Sequence, residues 1–397
     1  MVVAAAANTG MGTIQGWRLG RGEKSDLGLA LTILMFTLWP GFGAAQANPA
    51  SFSEVAANAI AARQANDVPG AIELYQQALK LDSQWPDGWW FLGSLQYGTG
   101  AYAAASDALS HYLDLTPNAA PALATRGLCE FETAEYEKSL NDIQRALALG
   151  AANQPRNEKI LRYHEALLLT RTGRFEDALR SYAFFARDDA DDGNSELLLA
   201  VGLAGLRTPL LPKELKADQP ELYIGVGKAA FDFMKGNKEI AREQFQRLFQ
   251  RVPAVLNAHY LYGYLLYATD PDEAMVEFRN ELEANPSNTA AEVMLAWIPL
   301  LQNDGSEALP YARKAVAQDP ALPSAQLVLG RALSETGDTK GGIEHLEKTV
   351  QLQPDNLEVH LALAKAYSKS GRKEDARRER LLCLEITKND TAPATHP

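Results

Sequence analysis

The chain has 397 residues dominated by alanine, leucine, glutamate and glutamine, with little strand-like alternation, which points to an all-α protein. Thirty-eight Lys+Arg against 50 Asp+Glu give a net charge of −12, a surface that repels phosphate backbones and argues against nucleic acid as a partner. Cys129 and Cys383 belong to no Cys-x-x-Cys or Cys/His cluster, so zinc and a disulfide framework are disfavoured and each reads as a small apolar core residue.

The first element, residues 1–47, has the layout of a secretory signal. Arg18, Arg21 and Lys24 precede the apolar stretch Leu27 to Leu38, Pro40 and Gly41 break any helix, and Ala45-Gln46-Ala47 supplies the small-x-small pattern of a cleavage site. Cleavage there implies a periplasmic or secreted protein. The alternative is a membrane anchor retained from Leu27 to Ala45.

From residue 48 onward the chain reads as paired helices at a fixed period. Small residues mark the second helix of each unit: Ala71, Ala105 and Ser139 are 34 residues apart, and so are Ala274, Ala308, Gly342 and Ala376, with Ala178 and Ala241 between the two series. Pro286, Pro320 and Pro354 repeat at the same interval and stop second helices. Gly93, Gly127, Gly263 and Gly330 allow close helix crossing, with Leu92, Tyr75, Tyr182, Phe245 and Phe278 filling the remaining space. Gly100, Gly173, Gly236, Gly337 and Gly371 release the turns inside units.

These features, best seen in Trp89-x-x-Leu92-Gly93 with Gly100, Ala105 and Pro117, resemble the tetratricopeptide repeat. The resemblance covers most of Phe52 to Thr387 and implies a right-handed α-solenoid of about nine helix-turn-helix units. Two intervals depart from the period. Ser139 to Ala178 spans 39 residues, and Ala178 to Ala241 spans 63. The second excess contains an apolar helix from Ser195 to Arg207, expected to have no repeat partner, followed by Thr208-Pro209 and Leu211-Pro212. The resulting division is four units over 48–193, a non-repeat helix and Pro-rich connection over 194–220, five units over 221–388, and a disordered tail over 389–397. Pro299 is expected to kink a first helix, and Arg377, Arg378, Glu379 and Arg380 to lie on the outer face of a polar terminal cap.

Fragments of catalytic and ligand motifs fail in context. Gly225-x-Gly227-x-x-Ala230 follows no strand, and no Ser or Thr follows Lys228, so close helix packing accounts for these glycines better than a nucleotide does. In Asp188 to Gly193, Ala190 replaces a calcium ligand and Leu199 stands where the bidentate glutamate belongs, leaving a solvated turn that caps the next helix. No two histidines have metal-ligand spacing; His259 and His360 occupy the place of Trp89 and read as packing residues. No cofactor, metal or catalytic centre is expected.

The family resemblance places a concave groove along the first helix of each unit. Mapped onto this chain it gives Trp90, Tyr97, Phe131, Tyr163, Tyr223, Phe233, Tyr260, Tyr264, Tyr267 and Trp297 on one face, with Trp297 beside the tyrosine trio. This stripe reads as a groove for a protein or peptide segment, the alternatives being internal burial and stacking on a glycan. The last two units differ, presenting Arg331, Lys365 and Lys369 near Glu335 and Glu358. Ala56 and Ile60 stand where a carboxylate clamp needs Lys and Asn, so that specificity is not carried over. The expected function is a non-enzymatic interaction scaffold of the cell envelope, touching a membrane only if its N-terminal segment is retained; the runner-up is a carbohydrate-binding accessory protein of polymer export.

Overall fold

The structure is a computed structural model describing residues 51–151, 155–187, 194–216, 220–253 and 255–391. The signal-like segment, the acidic run Asp188 to Gly193 and the end of the tail lie outside the described residues. Among the described residues, regular structure is helical throughout, an all-α solenoid. Four helix pairs come first: α1 (Phe52–Gln64) with α2 (Val68–Leu81), α3 (Pro86–Gly98) with α4 (Tyr102–Leu115), α5 (Ala120–Glu132) with α6 (Tyr136–Ala148), and α7 (Pro155–Arg171) with α8 (Phe175–Tyr182). A 3-10 turn at Phe185–Arg187, α9 (Ser195–Gly205) and a second 3-10 turn at Pro212–Glu214 follow. Five pairs complete the array: α10 (Pro220–Met234) with α11 (Lys238–Arg251), α12 (Ala258–Leu266) with α13 (Pro271–Ala284), α14 (Thr289–Leu301) with α15 (Gly305–Gln318), α16 (Pro323–Glu335) with α17 (Thr339–Leu352), and α18 (Leu357–Lys369) with α19 (Lys373–Thr391).

Two local devices recur among the pairs. The first helix ends on a residue with positive φ: Asn66, Gly100 and Ala134 in the first three units, Asn303, Gly337 and Gly371 in the last three. That left-handed residue reverses the chain and lets the next amides reach back to the helix's last carbonyls, as Ala101 N–H does to Gln96 O. An aspartate then caps many second helices: Asp67, Asp270, Asp304 and Asp338 each accept from a first-turn amide. Between helices the small residues work as expected. Ala71, Ala105, Ser139, Ala178, Ala241, Ala274, Ala308 and Ala376 are fully buried at the crossings, and a Cβ on Gly93 would meet Leu109 at 2.7 Å.

The helix after the fourth unit is not without a partner. α9 is buried nearly all round and packs on α10 more intimately than the helices of any repeat pair. A Cβ on Gly202 would stand 1.9 Å from Tyr223 O, and one on Gly227 only 1.8 Å from Leu198 O, so each helix enters a notch in the other. Asn194 caps α9, accepting from the amides of Glu196 and Leu197. The largest core cluster runs from Phe131 in α5, through α9 and Leu211, to Ile298 in α14.

One smaller expectation is corrected. Glu379 faces inward, 6% exposed and bonded to His360 Nδ1 at 2.7 Å, while Arg377, Arg378 and Arg380 are exposed as expected, together with Leu381 and Leu384. Helix geometry allows this because Glu379 stands three residues after the core residue Ala376 and four before the buried Cys383, so it shares their face. Pro299 lies in the last turn of α14, where it offers no amide to Leu295 O.

Candidate functional site

The ten aromatics assigned to the groove do not form one continuous open stripe. Trp90 and Tyr97, on α3, are half-buried against Tyr112 and Tyr102 of α4, at ring separations of 5.6 and 5.9 Å. Burial pushes the Tyr97 hydroxyl up to about 12. Phe131 and Tyr260, expected to face a ligand, are only 6% and 4% exposed and belong to the core.

The non-repeat segment explains this burial. Lys213 places its ammonium 5.3 Å from the Phe131 ring centroid. Phe185 meets Tyr163 edge-on at 6.3 Å, and the Tyr163 hydroxyl donates to Glu196 of α9 at 3.3 Å. Burial foremost, then the Glu196 charge, holds the Tyr163 phenol well above its ordinary value. Thr208 lies 3.4 Å from the Tyr223 hydroxyl. Arg207 sits 5.0 Å above Tyr260 and pairs with Glu176, which also accepts from the Tyr260 hydroxyl at 2.6 Å. The segment therefore covers first-helix residues of four successive units.

Tyr264 and Tyr267 continue from Tyr260 with ring separations of 6.4 and 5.5 Å along the trio, and the Tyr264 hydroxyl accepts from Arg180 at 3.3 Å. Phe233 lies under Lys238 of the next helix. Trp297, expected beside the trio, instead packs on the clusters formed by α14 to α19 and lies under Arg331 at 5.0 Å. The sequence reading missed Glu176, Arg180, Arg207 and Lys213. Its one available signal was that Arg207 and Lys213 flank the prolines of the connection.

A more open bay lies on α16 and α18, a cavity of about 120 Å³ bordered by Arg331, Glu335, Leu361, Lys365 and Lys369. Leu361 is 48% exposed. Arg331 donates to Glu358 at 2.9 Å and to Leu300 O at 3.0 Å. Lys365 bonds Glu335 and Asn303, each at 3.2 Å, and Lys369 donates to Ser334 O at 3.2 Å. One oxygen of Glu335 is buried without a hydrogen-bond partner. The bay thus combines an apolar contact with two outward ammonium groups whose present bonds are exchangeable.

The histidines and cysteines have structural settings. His259 stacks on Phe249 at 3.8 Å and bonds Glu277 at 2.6 Å; His360 is buried between Glu379 and Pro354 O. Cys129 and Cys383 are buried free thiols, and burial pushes Cys129 up to about 12. Gly227 serves helix packing, whereas Gly225 faces open space and nothing in the packing requires it.

Models of the tetratricopeptide repeat match residues 57–120, 264–323 and 335–380. No curated protein matches the chain. Among solved structures, MamA from Desulfovibrio magneticus RS-1 is 20% identical at a TM-score of 0.39, covering 43% of this chain and 98% of that one. YrrB, described as a TPR protein with an unusual peptide-binding site, is 18% identical at 0.36, covering 41% and 84%. Yeast Tom70 is 13% identical at 0.36, covering 85% and 84%. With the repeat models falling on helix pairs whose turn residues and crossing alanines recur every 34 residues, this chain belongs to the tetratricopeptide-repeat family.

Proposed function

We propose that this protein is a non-enzymatic protein–protein interaction scaffold of the cell envelope, holding a peptide or protein segment against the first-helix face of its last two units. Tetratricopeptide arrays are interaction scaffolds in general, and the envelope placement is supported by the basic, apolar and Ala-Gln-Ala order of residues 18–47. The observation that carries the site is Leu361, 48% exposed on a face where Lys365 and Lys369 present ammonium groups. An apolar anchor flanked by positive charge suits a segment with one hydrophobic side chain and nearby carboxylates. A sugar ring would need an open aromatic face, and those of Trp297 and Phe131 lie under Arg331 and Lys213.

The test is affinity capture from an envelope extract with the wild type and with Leu361→Asp combined with Lys369→Ala. Both positions are exposed, so thermal unfolding should be unchanged while the captured partner is lost; undiminished capture rejects the site. N-terminal sequencing of the protein from its host should begin near Asn48, and an intact residue 27–38 stretch rejects the secretory reading.

A further inference from the structure

The geometry points to residues 207–216 as a tethered pseudo-ligand: they occupy the middle of the groove in cis, and their chemistry defines the external segment that competes for it, a peptide with a leucine followed by a proline–lysine turn. The inference rests on the reading of the first-helix face as a protein-binding surface. Its basis is that this short stretch makes the contacts expected of a groove ligand. It reaches α5 through Lys213 on Phe131, α7 through Arg171, whose Nη1 donates to Pro209 O at 3.1 Å, α10 through Thr208 at Tyr223, and α12 through Arg207 on Tyr260. Leu211 and Leu215 have extended backbones, with φ/ψ of −83°/152° and −73°/136°, on either side of the 3-10 turn at Pro212–Glu214. Leu211 is 1% exposed although it lies in a connection, the behaviour of an anchor side chain seated in a pocket.

From Pro209 onward the stretch is separable from the helix before it. α9 is locked to α10 backbone against backbone at Gly202 and Gly227, and its end is closed by the amides of Arg207 and Thr208 on Ala204 O and Leu203 O, whereas residues beyond Thr208 are held by one buried leucine and a few polar and cation–π contacts. Opening at 209–216 therefore leaves α9 and its cap in place. A groove closed in cis binds an external segment in proportion to the fraction of chains that are open.

The probe is a fluorescent peptide of residues 207–216 with a scrambled control, titrated into the mature chain and into Leu211→Ser and Lys213→Glu variants. Both variants weaken the cis contact, and each should bind the peptide at least about tenfold tighter than wild type. Lys213 is exposed, so its variant keeps the test valid should Leu211→Ser fail to fold. Folded variants that bind no better than wild type overturn the inference. Hydrogen exchange on the wild type provides a second arm: amides of 210–215 should exchange well before those of α9, and equal protection overturns it. Capture through the α16–α18 bay, which both variants leave intact, reports separately on the proposed function.

Discussion

At the scale of single residues, the conformational demands of the repeat show where composition and geometry disagree. Ala134 holds φ of 62° at the turn where the neighbouring units use Asn66 and Gly100. An L-residue with a Cβ resists that conformation, so Ala134→Gly should raise stability by about 1 kcal/mol, measured by denaturant unfolding. Glu130 is a second case. It is 5% exposed, shares Arg126 with Asp142, and leaves one oxygen without a hydrogen-bond partner. Burial first, then the Asp142 charge, raises its carboxyl to about 7. Because the folded value lies above the unfolded one, the folded state holds the extra proton. The stabilising contribution is complete below the unfolded value and is lost as pH rises through about 7. Glu130→Gln should therefore gain stability relative to wild type between about pH 5 and about pH 8, and equal slopes against pH would refute the assignment.

At the scale of elements, the α9–α10 contact separates two glycines that the sequence groups into one motif. Gly227→Ala puts a methyl 1.8 Å from Leu198 O and should cost at least ~2–3 kcal/mol, because neither backbone can yield. Gly225, two residues earlier, meets nothing within 4 Å, and Gly225→Ala should instead stabilise by about 0.5–1 kcal/mol through helix propensity. Thermal melts of the two variants, moving in opposite directions, test the assignment. The repeat elements were legible because crossing alanines and turn glycines recur at one period, and recurrence survives local irregularity. Turns at Asn66, Ala134 and Asn303 were less legible, since only Gly announces a positive φ plainly. The groove was legible as a set of first-helix positions but not as a surface. Phe131 and Tyr260 carry the pattern of groove residues, and what covers them comes from a connection that has no periodicity of its own. The inward turn of Glu379 was hidden for a related reason: its buried partner His360 lies 19 residues away on another helix.

At the scale of the whole molecule, the notches at Gly202 and Gly227 make one joint of the array unlike the rest. Across the last three units the spacing of turn residues, 303 to 337 to 371, makes adjoining units interchangeable in length, so that part of the array can gain or lose whole units as a chain gains or loses links. Excising residues 289–322, one period, should leave a single cooperative melt at lower temperature by circular dichroism. Excising 195–234 removes both notched helices and the centre of the largest cluster, and should leave no cooperative transition. The joint is therefore a fixed point of the architecture: variation in unit number is tolerated on either side of it, but not across it.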